Sequence, residues 1–246
     1  MRLRPGVHSL LVFILLAVVP VHSAYAQTVE AAPKARIVAF GLSDELNVFH
    51  SEATRAAAIL AQRYGRGVTP LVRTNRRGVA QATPASLRDA LVATAARMDR
   101  DNDVLFVFLT SHGSPRGIAV QTGRRLGFLT PAQFAAMLRE TGVRQKVVII
   151  SACYSGIFLP LADANTQVIT AADATHPSFG CEKAATWTFF GRAFFSEAMP
   201  KTDNLRDAFV LARAAVLARE RRERYEPSNP QMAGGQSFAG RLRAAR

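Results

Sequence analysis

Cysteine is scarce. Among 246 residues there are two, Cys153 and Cys181, beside a single tryptophan. Two thiols exclude a small disulfide-dense scaffold, and the lack of any Cys-x-x-Cys spacing removes the usual zinc pattern. Long apolar runs are also few. The longest, at 10–19, has ten residues, half of the ~20 a spanning helix needs. Every later apolar stretch is strand-sized, which argues against a membrane-spanning segment in the body of the chain. Low-complexity tracts and internal repeats are absent. Acidic residues are outnumbered, 18 against 31 Lys and Arg, for a formal charge of +13. Such a balance invites a nucleic-acid partner. However, the arginines concentrate in 206–224 and 241–246, and Glu220, Glu223 and Glu226 interleave with the first group as on a solvated helix face. No aromatic–basic alternation accompanies them, so nucleic acid is not the expected partner; attraction to an anionic envelope surface is the better use of the charge.

The N-terminus reads as a leader. Arg2 and Arg4 precede the apolar run, and Ala24-Tyr25-Ala26 offers small residues before Gln27, the layout of a cleaved secretory signal at 1–26. Removing Arg2 and Arg4 lowers the charge to +11. No cysteine lies near the cleavage point to carry a lipid. A periplasmic or secreted protein is expected, with 27–246 forming one domain large enough for a real core.

Largely apolar segments at 35–40, 104–109, 146–150 and 168–172 read as buried strands, and 68–73 is a further strand candidate. Amphipathic stretches alternate with them. Ser43 or Asp44 is expected to cap a helix running to about Gln62, Thr83-Pro84 to open one reaching about Arg100, and Thr130-Pro131 one reaching Glu140. A Gly-rich, hairpin-like stretch lies between Gly113 and Gly127, and long helices are expected at 186–198 and 205–224. Buried strands alternating with helices indicate an α/β sandwich with a mainly parallel sheet covered on both faces.

In such sheets ligands collect beyond the carboxyl ends of the strands. Two ends are chemically unusual: Thr110-Ser111-His112-Gly113-Ser114 and Ser151-Ala152-Cys153-Tyr154-Ser155-Gly156. A histidine and a cysteine at the same edge of neighbouring strands can form a nucleophile–base pair, because a thiol needs a base to become the reactive thiolate. Of five histidines, His8 and His22 leave with the leader, His50 falls on or near the first helix, and His176 in a proline-containing loop. Only His112 closes a strand. Gly113 and Gly156 leave room for a substrate backbone, and the N–H groups of Gly113 and Cys153 are candidates for an oxyanion hole.

These two segments, with Thr170-Ala171-Ala172-Asp173, Ser178-Phe179-Gly180-Cys181, Thr188-Phe189-Phe190-Gly191 and Ser228-Asn229-Pro230-Gln231, resemble the legumain-like cysteine peptidases, family C13 of the caspase-like clan, in their bacterial, exported branch. The resemblance spans roughly 35–240. It implies a caspase-like three-layer sandwich, a cysteine endopeptidase without cofactor, peptide or protein substrates, and a catalytic pair of His112 and Cys153, 41 residues apart. By the same resemblance Tyr154, Ser155, Ser178, Arg192 and His50 are candidate substrate-binding residues, and Asn47 a candidate for orienting His112. Legumain-like enzymes cleave after asparagine in a pocket with acidic and basic walls. Here Tyr154 and Arg192 stand where acids are expected, which shifts the expected preference toward an acidic or neutral P1 side chain.

Other outcomes fit the same residues. An acyl-thioester attacked by an amine would make the protein a ligase or transamidase, and a caspase-like module without turnover would be a binding protein. A metal site built from His112, Cys153 and Cys181 lacks close ligand spacing. Cys181 is expected as a free thiol near the pocket rim; a disulfide to Cys153 would extinguish catalysis until reduced.

Overall fold

The computed structural model describes residues 33–244; the leader read at 1–26 lies outside the described residues. In chain order the elements are β1 (Ala35–Gly41), α1 (Asn47–Tyr64), β2 (Leu71–Arg76), β3 (Val79–Ala80), α2 (Pro84–Ala95), β4 (Val104–Thr110), β5 (Gly113–Ser114), β6 (Gly117–Thr122), β7 (Arg125–Leu129), α3 (Pro131–Glu140), β8 (Gln145–Ser151), β9 (Thr166–Thr170), α4 (Phe189–Gly191), α5 (Leu205–Glu223) and β10 (Gln231–Ala233). The main sheet has the order β10-β9-β8-β4-β1-β2-β3. Its five central strands are parallel, and the short β3 and β10 close the two edges antiparallel.

The strands are parallel because apolar side chains leave both of their faces and helices cover each. Ile37, Ala39, Phe106, Phe108, Val147, Ile149 and Ile169 point to one side, where α1 and α5 supply Ala56, Leu60, Phe209 and Ala212. Their neighbours Val38, Phe40, Leu105, Val107, Val148 and Ile150 point to the other, against Leu87 and Leu91 of α2 and Phe134 and Leu138 of α3. The result is the three-layer sandwich expected from the sequence. Among the described residues no helix is long and apolar enough to cross a membrane.

Several expectations need correction. Ser43 and Asp44 do not cap α1, whose N-cap is Leu46 with no side-chain bond. They tie the chain to the small sheet instead: the Ser43 hydroxyl donates to Gln121 Oε1 at 3.5 Å, and the Asp44 carboxylate accepts from Gly123 N–H at 2.6 Å. The glycine-rich stretch is a three-stranded antiparallel sheet, β5-β6-β7, rather than a simple hairpin. The helix expected at 186–198 starts at Phe189 as one α turn, widens into a π-helix over Arg192–Ala198 and tightens into a 3-10 turn at Met199–Lys201. The wide turns keep Phe190, Phe194 and Phe195 together in the core. The short edge strand β10 carries no alternating pattern and was not legible.

The two caps that the sequence announced are formed. Thr83 with Ser86 and Thr130 with Gln133 make reciprocal capping boxes, each followed by proline in the first turn. Thr130→Ala is expected to cost about 1 kcal/mol, and Phe108→Ala, which empties the fully buried centre of β4, about 3–5 kcal/mol. Urea unfolding of both variants measures the ratio; a Thr130 effect as large as that of Phe108 would contradict this division between surface cap and core.

Candidate active site

The parallel ladder brings two strand ends level. Thr110 of β4 pairs with Ser151 of β8, and β1 ends beside them at Gly41, paired with Thr110. His112 and Cys153 each stand two residues beyond this paired row, so they leave the same edge of the sheet. The chains stay in contact past the row: Ser111 N–H donates to the Ser151 carbonyl at 3.3 Å. Gly113 then packs so tightly on the cysteine's segment that a Cβ there would lie 1.9 Å from the Cys153 carbonyl oxygen. Only glycine fits beside His112 if the two loops are to touch.

The imidazole is placed from its far side. Phe49 of α1 meets it edge-on, ring centres 4.8 Å apart. The Nε2 atom is shut off from solvent and lies 3.3 Å from a Glu45 carboxylate oxygen, at ion-pair distance but too oblique for a hydrogen bond. Asn47, proposed from the sequence to orient His112, instead opens α1 on the exposed side and lines a separate cavity with Asn75, Arg76 and Arg77. The reason is the later start of α1, which leaves Glu45 in the extended segment that passes the histidine.

Cys153 is half-buried, and its sulfur sits on the backbone of Ser178: the thiol donates to the Ser178 carbonyl at 3.3 Å, and Ser178 N–H donates to Sγ at 3.3 Å, with the Ser178 hydroxyl at 3.9 Å. The next residue, Tyr154, is left-handed (φ 56°, ψ 18°), a conformation that costs a non-glycine residue roughly 1–2 kcal/mol. Its N–H donates to the His176 carbonyl at 2.9 Å, which holds the strained turn. Gly156 is required next, because a Cβ would meet the Asp173 backbone at 2.4 Å.

The rim from Asp173 to Ser178 is braced by one carboxylate. Asp173 accepts from Thr175 and His176 N–H groups, from His176 Nδ1 and from Asn229 Nδ2 at 3.1 Å. Burial works to raise its pKa, but these hydrogen bonds outweigh burial and hold it at about 2. Cys181 is a free, half-buried thiol, so no disulfide blocks Cys153. Burial, with the nearby Glu52 and Cys153, pushes Cys181 up to about 12, which keeps it protonated and unreactive at neutral pH.

The remaining candidates divide. Ser178 is at the sulfur, and Tyr154 is beside it. Ser155 is buried, its hydroxyl accepting from Ala172 N–H at 3.0 Å, so it shapes the loop and does not face substrate. His50 lies against the Thr74 hydroxyl of β2 at 2.8 Å, and burial lowers its pKa; the α1 residue that reaches His112 is Phe49. Arg192 lines an open groove of about 910 Å³ with Gly180, Trp187, Phe189 and Arg219. Its charge is shared: Arg192 and Arg219 both reach Glu197, at 3.0 and 3.5 Å. Glu45 was missed by sequence reasoning, since a lone acid ahead of a helix carries no motif. Among the described residues no group of three or more His, Cys, Asp or Glu is placed to hold a metal ion.

A model of the peptidase C13 family matches residues 87–240. No curated protein matches the chain. Among solved structures, the crystal structure of caspase-1 from Spodoptera frugiperda is similar with a TM-score of 0.56 at 13% identity, over 82% of this chain and 87% of that one. At that identity the likeness is one of fold.

Two measurements probe this geometry. Asp173 has a depressed folded pKa, so its stabilisation is complete above the ordinary value of 3.8 and is lost as pH falls through about 2. Asp173→Asn should therefore flatten the acid limb of the stability curve between about pH 4 and 2, and an unchanged limb refutes the bracing. Alkylation at pH 7.5 should modify Cys153 and spare Cys181, read by peptide mass mapping; equal labelling of both would overturn the contrast.

Proposed function

The chain belongs to the peptidase C13 family, and from that premise we propose that it is an exported cysteine endopeptidase acting through Cys153 and His112. The observation that carries this reading is the pairing of Thr110 with Ser151, which sends His112 and Cys153 from one sheet edge into loops that touch at Gly113. In the proposed reaction His112 takes the thiol proton, and the thiolate adds to the scissile carbonyl. The N–H groups of Gly113 and Cys153 receive the oxyanion, while that of Tyr154 is already spent on His176. The protonated His112 then gives its proton to the leaving amine, and water releases the acyl group from Cys153 with His112 again as base. Once the proton has left the thiol, the Ser178 amide, which donates to the sulfur, steadies its negative charge.

Glu45 takes the orienting role. Its carboxylate lies at Nε2 and leaves the other ring nitrogen for the thiol. For P1, the groove's three arginines are matched by three glutamates, Arg192 and Arg219 meeting Glu197, Arg222 meeting Glu223, and Glu182 lying on the same wall, so the site lacks the unopposed positive charge that an acidic residue would need, and a neutral side chain is preferred. Export follows from the leader read at 1–26.

Purified protein should cleave a fluorogenic peptide library with a neutral P1 optimum. Cys153→Ala and His112→Ala should each lower kcat/KM by at least about 10³, and Glu45→Gln by roughly tenfold. Activity that survives Cys153→Ala sinks the peptidase reading, and a sharp aspartate optimum sinks the P1 assignment. Expression with the native leader, followed by N-terminal sequencing, should return Gln27 first.

A further inference from the structure

Glu52 is a carboxylic acid in the second turn of α1 with no exposed surface. Burial raises its pKa, and among the described residues no lysine or arginine pairs with it. A carboxyl taken out of water without a cation is costly unless its oxygens are well bonded. Here they are. Oε2 accepts from the Thr110 hydroxyl; Oε1 accepts from the Thr188 hydroxyl at 2.6 Å, from Thr188 N–H at 3.3 Å and from the Ser151 hydroxyl at 3.3 Å. The Ser151 and Thr188 hydroxyls also touch, at 3.0 Å. A Cβ on Gly191 would come within 1.8 Å of Oε1, so glycine leaves the carboxyl its space.

The partners are what matter. Thr110 is the last residue of β4, two before His112. Ser151 is the last of β8, two before Cys153. Thr188 belongs to the rim: its neighbour Phe189 donates to the Phe179 carbonyl at 3.0 Å, one residue from the Ser178 backbone that holds Sγ. Beyond Thr110 and Ser151 the regular ladder stops, and the loops that carry the reacting groups need another tie. We propose that Glu52 is that tie: a positioning residue whose single buried carboxyl anchors the histidine strand, the cysteine strand and the sulfur-holding rim to one point beneath the cleft. This rests on the peptidase reading above and adds to it a residue that touches neither substrate nor the reacting atoms.

The test uses the purified chain carrying Cys181→Ser, so that one thiol is titrated. Glu52→Leu keeps the volume and removes the acceptors, Glu52→Gln keeps one acceptor and the length, and Thr110→Val releases the histidine strand alone. Each is measured for melting temperature, active-site-titrated kcat and KM on one fluorogenic peptide, and the rate of Cys153 alkylation by iodoacetamide. A misplacement of about 1 Å can cost on the order of 10²-fold in rate. The expected result is a fall in kcat per titrated site of about 10²-fold for Leu, about tenfold for Val and less for Gln, with KM within about twofold. Alkylation should slow in the same order. A purely structural role would instead shrink the titratable fraction or the melting temperature while kcat per site stayed at the parent value, and that result overturns the proposal. If Glu52→Leu does not fold, Thr110→Val decides alone by the same criterion. His112→Ala in the same background separates the two readings: if it leaves alkylation unchanged the peptidase reading fails, whereas a slowed His112→Ala beside silent Glu52 and Thr110 variants defeats only the anchor.

Discussion

The constraint on which the rest depends is the parallel register of β1, β4 and β8. Parallel strands all end at one edge, and in this sheet Gly41, Thr110 and Ser151 end level. Had β4 and β8 paired antiparallel, the loops after them would leave opposite edges, and no side-chain length would reunite an imidazole with a thiol. The register is held because both faces of these strands are buried; a slip of one residue would exchange the side chains that meet α1 and α5 for those that meet α2 and α3. Core packing and the meeting of the His112 and Cys153 loops are therefore one requirement. The same apolar residues that make the sheet stable also set which loop residues can meet.

Past the strand ends the chain leaves regular structure, and separate devices replace the ladder. Gly113 and Gly156 allow backbone against backbone where any side chain would collide. Tyr154 accepts a left-handed turn, with its N–H and that of Gly156 bonded to the His176 and Asp173 carbonyls. The rim that supplies those carbonyls is itself held from far along the chain: Asn229, also left-handed, reaches Asp173, and Asp173 N–H donates to the Ser228 carbonyl. Ser228 N–H in turn meets the carboxylate of Glu220 near the end of α5, where burial raises the glutamate's pKa. The arginine-rich helix thus has two sides with different work: a solvated outer face of charges, and a buried glutamate that fastens the segment bracing the rim.

What could be read from the sequence follows from how locally each feature is encoded. The strand β4 is legible because seven buried residues in a row admit little else, and the capped helices α2 and α3 because Thr-Pro starts carry their own hydrogen bonds. His112 and Cys153 are legible because each ends such a strand. The opening of α1 misled because Ser43 and Asp44 are good caps whose oxygens find partners in the small sheet, a tertiary choice that spacing cannot show. Glu45 and Glu52 were invisible for a related reason. In sequence each is an ordinary acid at a helix start, and only the fold reveals that one lies against an imidazole and the other beneath three hydroxyls. Ser155 shows the converse, since a serine two residues from a nucleophile is spent entirely on Ala172.

These contrasts suggest how the site divides its labour. Its floor consists of strand ends, Gly113, Gly191 and a buried carboxyl, where the side chains of Glu52, Thr110, Ser151 and Thr188 bond one another and little room exists for change. Its rim consists of the half-buried Tyr154, Ser178, Trp187 and Phe189, with Ser178 and Phe189 bonded through backbone, and of the exposed Arg192. Backbone bonds survive side-chain replacement, so the rim can vary its chemistry without disturbing the sulfur. The departures from the legumain pattern at Tyr154 and Arg192 both fall on that rim, while the residues beneath it keep the geometry that thiol chemistry requires. On the peptidase reading proposed above, substrate preference and catalytic placement are thereby carried by different atoms, and a change in the first need not cost the second.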